Sequence, residues 1–362
     1  MEEQRALLAE LETVLLSGEP CYTRHQVAEL AGVPLERAEA LWRALGFAAV
    51  GDDDVVFNDY DVEAVRLISS LVQLGVVQPR TELALSRSLG QSMSRLAEWQ
   101  TQLVRDVLAD PEGAPREGTA EAVAALVPVI ERLQSHVWRR HLLAAAVRML
   151  ASPTDDPDSA TLVVGFADIV SFTRLSRSIS DAELAEFIEH FEGTAATIIA
   201  ERRGRVIKTI GDEVLFVADL TTDAAAIAVE LAHRIDTDEE FPRLRVGMAY
   251  GPVLSRLGDV YGPVVNIAAR LTSLARPGTV LIDRALREAL TDVPGYRLRR
   301  TPRAAVHGYT RLEPWVLRPG EEGGPPSDDA AAGDAAGGRS ATGSDGESGD
   351  DAPRRSRRRR TR

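Results

Sequence analysis

The sequence predicts an α+β protein in which an all-helical half precedes a half that alternates strands and helices. Up to about residue 150, apolar residues recur at helical spacing. From about residue 160 to residue 318, short β-branched runs alternate with helical patterns. The stretch 320–362 contains no Leu, Ile, Val, Met, Phe, Tyr or Trp, so it cannot bury a core and we expect it to be disordered.

These patterns divide the chain into four parts. A helical domain spans residues 1–150, a linker rich in Pro, Asp and Ser spans 151–160, and the α+β domain spans 161–318. A tail occupies residues 319–362, beginning acidic and ending in an arginine-rich tip. The tip is either a contact for RNA, for anionic lipid or for the protein itself, or a solvated end with no specific partner.

Composition limits the function. The 362 residues carry a formal net charge of -13, which disfavours a general electrostatic grip on nucleic acid. Cys21 is the only cysteine, so no disulfide within the chain and no multi-thiolate metal site is possible. The N-terminus lacks the pattern of a signal peptide, and no run of about 18 apolar residues predicts a membrane span. We therefore expect a cytoplasmic protein.

The helical domain contains a segment that resembles a helix-turn-helix. After a first helix over residues 1 to about 20, residues 22–42 predict two helices around a turn at Gly32, with residues 55–57 as a possible wing strand. Residues 1–60 hold four Arg and twelve acidic residues, so DNA phosphates would repel this segment. We expect a structural or regulatory use of the motif and no specific DNA binding.

Longer helices complete this domain. Helical patterns continue over residues 61–108 and again over 119–150, with Pro128 as a possible kink. His136 and His141 lie near the end of the second pattern. They are either pH-titrating groups or ordinary interfacial histidines.

The α+β domain shows the element order βαββαβ, which indicates a ferredoxin-like core with additions. A strand at 162–167 is followed by a helix that a capping box of Ser180 and Glu183 opens. The later elements are a hairpin over 204–217, a helix over 223–235, a strand over 244–250, a helix over 263–274, a strand over 280–282 and a final strand near 315–317.

Lys208 stands out in the hairpin because it is the only lysine in the chain. Lys and Arg together number 42, so the other 41 are arginines. An ammonium kept inside an apolar strand suggests a role that a guanidinium cannot fill, although a chance remnant is the alternative.

Several polar residues interrupt apolar elements of this domain. Asp168 ends a strand and Asp212 lies in the hairpin turn, where two carboxylates can share hard cations such as Mg2+. A helix begins near Phe172 and Thr173, and its free N–H groups suit phosphate oxygens. Asn266 and Arg270 are spaced i and i+4, so one helix face presents both. The alternative for each aspartate is an ordinary surface turn residue. The alternative for the Asn–Arg pair is a hydrogen bond within the helix face.

Three segments together resemble the class III nucleotide cyclases. They match in order and spacing, and the resemblance covers roughly residues 160–318. They are 166–173 (FADIVSFT), 208–212 (KTIGD) and 258–270 (GDVYGPVVNIAAR). The resemblance implies that Asp168 and Asp212, with the backbone carbonyl of Ile169, hold two Mg2+ or Mn2+ ions per site.

The resemblance also implies roles for the remaining residues. Asn266 would position the ribose, Arg270 would stabilise charge on the α-phosphate, and Lys208 with Asp259 would read adenine. In this family the metal-binding and base-reading residues of one site come from different chains, so we expect a homodimer with two composite sites. The adenine-reading pair implies ATP as the substrate. The sequence departs from the family at His307, where a Lys or Arg usually precedes glycine and contacts the triphosphate.

The helical half is similar to the regulatory domain of the pH-sensing adenylate cyclases of subclass IIIc. That similarity implies autoinhibition by the helical domain, and His136, His141 and His307 are the candidates for a pH response. The expected activity is therefore conversion of ATP to 3′,5′-cyclic AMP and pyrophosphate. A catalytically silent nucleotide sensor and a helix-turn-helix regulator are the rival hypotheses.

Overall fold

The computed structural model describes residues 2–108, 118–151, 159–302, 304–306 and 309–320. Most of the linker and nearly all of the tail lie outside these ranges, so the disorder expected of the tail stays a prediction. His307 also lies outside the described residues.

The first half is helical, as the sequence predicts. Its first helix ends at Leu15, earlier than expected, because Ser17 adopts a left-handed backbone with φ 57°. The helices are α1 (Glu2–Leu15), α2 (Arg24–Ala31), α3 (Leu35–Leu45), α4 (Asp59–Gln73), α5 (Pro79–Leu108) and α6 (Thr119–Ala151). Of the helices that the structure describes, none is both long and apolar enough to cross a membrane.

The helix-turn-helix prediction is confirmed at α2 and α3. Thr23 caps α2 through a capping box, and Gly32 ends the helix at φ 68°, which glycine adopts without steric cost. The expected wing strand is wrong: within 55–57 only Phe57 pairs, through an isolated bridge to Tyr22. The Phe57 ring instead stacks on Trp42 with centroids 4.6 Å apart, so the segment serves the helical core.

The second half forms one main sheet flanked by helices. Its elements are β1 (Ser159–Ile169), α7 (Phe172–Leu175), α8 (Asp181–Glu201), β2 (Arg205–Ile210), β3 (Glu213–Ala218), α9 (Thr221–His233), β4 (Leu244–Arg256), β5 (Asp259–Tyr261), α10 (Pro263–Leu274), β6 (Val280–Ile282), α11 (Arg284–Ala289), β7 (Tyr296–Arg300), β8 (Ala304–Val306), β9 (Tyr309–Leu312) and β10 (Trp315–Pro319).

Strand order confirms the ferredoxin-like core. The main sheet runs β2-β3-β1-β4-β6-β10-β7, with β5 paired to β4. β4 and β6 are parallel, and the other pairs of this sheet are antiparallel. The βαββαβ unit therefore contributes the four neighbouring strands β2, β3, β1 and β4, and the later strands extend the sheet beyond β4.

Side-chain alternation along β1 separates two apolar layers. Val163 and Ala167 pack with residues of α8 and α9 in one core, whereas Val164 and Phe166 pack with Val264 and other residues of α10 in a second. Asp168 continues the second series, so it belongs to the sheet face that α10 covers.

α10 approaches β4 very closely. A Cβ at Gly247 would lie 2.1 Å from the backbone nitrogen of Thr272, which only glycine avoids. This contact sets the height of α10 above the sheet, and α10 carries Asn266 and Arg270.

Candidate active site

Asp168 and Asp212 meet at one end of the sheet. Asp168 lies near the end of β1 and is 8% exposed, and Asp212 lies in the turn between β2 and β3. The N–H of Ile169 donates to the carbonyl oxygen of Asp212 at 3.0 Å, which ties the strand end to the turn. Gly211 supplies φ 64° for that turn. Burial and the nearby Asp212 raise the pKa of Asp168, against the opposing effect of Arg245.

Two charged residues of this site escaped the sequence analysis. Glu213 faces Asp168 across the β1–β3 pair, and Arg245 faces it across the β1–β4 pair and forms an ion pair with it. Burial, with Asp168 and Asp212 nearby, raises the pKa of Glu213 to about 7. Arg245 lies 77 residues from Asp168 along the chain, so no local pattern signals the pair.

The donor set suits a hard divalent cation. Two carboxylates and the carbonyl of Ile169 supply oxygen ligands, and Mg2+ commonly binds one or two protein carboxylates together with substrate phosphates. The described residues contain no cluster of three or more His, Cys, Asp or Glu side chains placed to hold a metal ion. Asp168, Asp212 and the carbonyl of Ile169 are therefore the groups that could bind a cation alongside phosphate oxygens.

Lys208 and Asp259 form an ion pair across 51 residues of sequence. The Nζ atom of Lys208 on β2 lies 2.5 Å from Oδ2 of Asp259 on β5, and both side chains are partly buried. Burial opposes ionisation of Asp259, but Lys208 and the N–H of Val260 outweigh it and lower the pKa of Asp259. A donor and an acceptor thus stand side by side above the core that Ile207 and Val260 share with α10.

Asn266 and Arg270 lie on one exposed face of α10. Pro263 occupies the first helical position, and Val264 and Ala268 bury the opposite face. Among the described residues, neither Asn266 nor Arg270 has a side-chain hydrogen bond or ion pair. Both side chains are thus available to a ligand or to a second chain.

The remaining candidate residues lie on α7 and α6. Phe172 and Thr173 begin the four-residue helix α7, where Phe172 stacks on Phe187 with centroids 6.5 Å apart and Thr173 is exposed. His136 and His141 are both exposed on α6.

The candidate residues fall into two groups within one chain. The first is the carboxylate cluster of Asp168, Asp212 and Glu213 with Arg245, and the second comprises Lys208, Asp259, Asn266 and Arg270. No hydrogen bond or ion pair between described residues joins one group to the other. Charged residues of the first group contribute to the raised pKa values of Asp168 and Glu213, whereas Lys208 and the N–H of Val260 lower the pKa of Asp259.

Comparison with known proteins identifies the family. The model of the adenylate and guanylate cyclase catalytic domain matches residues 155–319, and the adenylate cyclase regulatory domain matches residues 3–150. An adenylate cyclase of Glutamicibacter nicotianae is 39% identical over 342 residues, covering 89% of this chain and 85% of the relative. The chain belongs to the class III adenylate cyclase family.

Two further relatives extend the comparison. An adenylate cyclase of Streptomyces coelicolor is 39% identical to this cyclase over 348 residues, covering 88% of this chain and 91% of the relative. A pH-sensitive adenylate cyclase of Mycobacterium tuberculosis is 33% identical over 281 residues, covering 74% of this chain and 70% of the relative. The similarity to full-length cyclases therefore includes the helical half.

Proposed function

We propose that this cyclase converts ATP to 3′,5′-cyclic AMP and pyrophosphate. The observation that carries the choice of adenine is the ion pair of Lys208 and Asp259. Lysine donates and aspartate accepts, which complements the N1 acceptor and the N6 donor of adenine. Guanine presents the reverse pattern, so it would leave partly buried polar groups unpaired.

In the reaction, the 3′-oxygen of the ribose bonds to the α-phosphorus while the bond from that phosphorus to the leaving pyrophosphate breaks. Asp168, Asp212 and the carbonyl of Ile169 would hold two Mg2+ or Mn2+ ions. Bound cations supply charge neutralisation on the triphosphate and acidify the attacking hydroxyl. Asn266 would orient the ribose, and Arg270 would stabilise the negative charge that grows on the α-phosphate. The N–H groups near Phe172 and Thr173 would contact the phosphates.

We further propose that the active enzyme is a homodimer with two composite sites. The carboxylate cluster of one copy would face Lys208, Asp259, Asn266 and Arg270 of the other. The separation of the two groups within one chain, and the unpartnered face of α10, support this arrangement. A monomer would then carry both halves of the machinery without a complete site.

The domain assignment completes the proposal. Residues 161–318 would form the catalytic domain, joined through the linker 151–160 to a regulatory domain over 1–150, with 319–362 as a tail. The match of a regulatory-domain model to residues 3–150 supports control of catalysis by the helical half.

The test is an assay of the purified full chain with ATP or GTP and Mg2+ or Mn2+, measuring cyclic nucleotide by chromatography. We expect cyclic AMP as the main product. Lys208→Gln should lower kcat/KM for ATP by about 100-fold or more, because the Asp259 carboxylate then lacks its donor. Glu288→Gln is the matched control, since it breaks only the exposed Arg284–Glu288 pair at 2.8 Å and should leave activity unchanged.

Three outcomes would contradict the proposal. Binding of ATP without any cyclic product would identify a nucleotide sensor instead. Equal turnover of GTP and ATP would remove the assigned role of Lys208 and Asp259. Salt-dependent, sequence-specific DNA binding by the full chain would favour the helix-turn-helix regulator.

A further inference from the structure

A cavity rich in arginine lies between the helical half and the α+β half. It has a volume of about 470 Å³ and opens to solvent. Its lining from α6 is Arg140, Leu143, Ala144, Val147 and Arg148, and its lining from the other half is Arg203, Gly204, Arg205 and Asp219. We call this cavity the arginine pocket.

The arginine pocket has an excess of positive charge. Arg205 pairs with Asp219 at 2.9 Å, and Arg203 pairs with Asp223 at 2.6 Å. Among the described residues, Arg140 and Arg148 have no carboxylate within ion-pair distance. Burial and then the charge of Arg205 lower the pKa of Arg148, against an opposing effect of Asp219, so Arg148 lies beside a second guanidinium in a partly desolvated place. An anionic ligand would offset the repulsion between Arg148 and Arg205.

The described chain ends next to Tyr296, whose side chain lies near residues that adjoin the arginine pocket. Pro319, the last residue of β10, pairs with Tyr296, and the N–H of Gly320 donates to the carbonyl of Gly295 at 2.7 Å. Tyr296 lies near enough to Arg202 and Asp223 for both to affect the pKa of its hydroxyl, which burial chiefly raises. Asp223 is the partner of Arg203, so the hydroxyl of Tyr296 lies on the side of the fold that holds Arg203 of the pocket.

The sequence that follows is strongly acidic. Residues 321–351 contain nine Asp or Glu residues and one arginine, Arg339. Glu321 and Glu322 come first, and Asp328 and Asp329 follow within a contour length of at most about 30 Å from Gly320. A short tether of this kind holds the acidic groups at a high effective concentration near the pocket.

We propose that the acidic segment 321–351 docks in the arginine pocket of the same chain. The segment would contact Arg140 and Arg148 on α6 together with Arg203 and Arg205 on the catalytic side. It would thereby link the helical half to the catalytic half. The competing intramolecular partner is the arginine-rich tip over residues 354–362, which could neutralise the acidic segment without any use of the pocket.

Disulfide trapping in the full chain tests the docking. In a Cys21→Ser background, Ala144→Cys labels the pocket and Ser327→Cys labels the acidic segment next to Asp328. We expect a disulfide within one chain to form at least about tenfold faster at low salt than in 1 M NaCl, where the Debye length is about 3 Å. Ala125→Cys, exposed on the same helix but away from the pocket, is the matched control and should cross-link slowly at both salt concentrations.

Charge variants distinguish docking in the arginine pocket from pairing of the acidic segment with the arginine-rich tip. Arg140→Gln with Arg148→Gln should slow the trapping about tenfold, whereas replacing the arginines of the tip by Gln should leave or increase the rate. The salt titration uses the chain with its charges intact. It therefore tests the docking even if a charge variant fails to fold. A rate independent of salt, a disulfide that links two chains, or equal trapping at Ala125→Cys would each overturn the proposal.

Discussion

The close approach of α10 to β4 makes Gly247→Ala a sharp test of how the fold positions the site. The added Cβ would lie 2.1 Å from the backbone nitrogen of Thr272 and 2.6 Å from the carbonyl oxygen of Ala268. Ordinary contacts begin near 3.4 Å, and both atoms belong to helix backbone that cannot rotate away. α10 must therefore move by about 1 Å, and it carries Asn266 and Arg270 with it.

Two magnitudes follow from that displacement. Overpacking of this kind costs about 1–3 kcal/mol in the free energy of unfolding. A misplacement of about 1 Å in groups that hold the substrate can cost about 100-fold in rate. We expect Gly247→Ala to show both losses, measured by urea denaturation and by initial rates of cyclic AMP formation.

Gly193→Ala is the matched control. Gly193 lies inside α8, and a Cβ there would meet nothing within 4 Å. This change should stabilise the protein by up to about 1 kcal/mol through helix propensity and leave activity unchanged. If Gly247→Ala matched the parent protein in both stability and rate, the inference that this contact sets the position of α10 would be refuted.

Two further predictions concern stability. Burial raises the pKa of Asp283 to about 6 despite donors such as the N–H of Leu286 at 2.9 Å, so its contribution is full below about pH 4 and is lost as the pH rises through 6. Relative to Asp283→Asn, the parent protein should therefore lose up to about 3 kcal/mol between pH 4 and pH 7 in urea denaturation, and parallel pH profiles would contradict this. Ser180→Ala removes the capping box with Glu183 and should cost about 1 kcal/mol, whereas an unchanged melting temperature would show that the α8 cap contributes nothing.

Local sequence signals predicted much of the fold. The capping box at Ser180 marked the start of α8, and Pro263 marked the first residue of α10. The apolar run over 162–167 predicted the central part of β1. These signals succeed because the physical cause, a cap or a buried face, lies within a few residues of the element it defines.

Local sequence patterns failed to predict elements whose extent depends on pairing between residues far apart in the sequence. The strand expected over 244–250 continues to Arg256 as β4, because Leu254 pairs with both Ser159 and Tyr261. The prediction of a wing strand failed because Phe57 packs into the helical core and pairs only through a single bridge to Tyr22.

The candidate site shows the same division. Asp168 and Asp212 were recognisable from their positions at a strand end and a turn. The contact of Lys208 with Asp259 was expected only through family resemblance, because the two lie 51 residues apart. Arg245 and Glu213 could be assigned to the site only from the strand pairing, which places them opposite Asp168.

The composite site is the central claim, and mixing two inactive variants tests it most directly. Asp212→Ala removes a carboxylate from one half of the machinery, and Arg270→Ala removes the cation from the other. If the sites form between copies, random exchange makes about half of the dimers mixed, and each mixed dimer has one intact site. An equal mixture should then recover about one quarter of the activity of the parent protein. No recovery, with chain exchange confirmed by size-distinct tags, would contradict the claim.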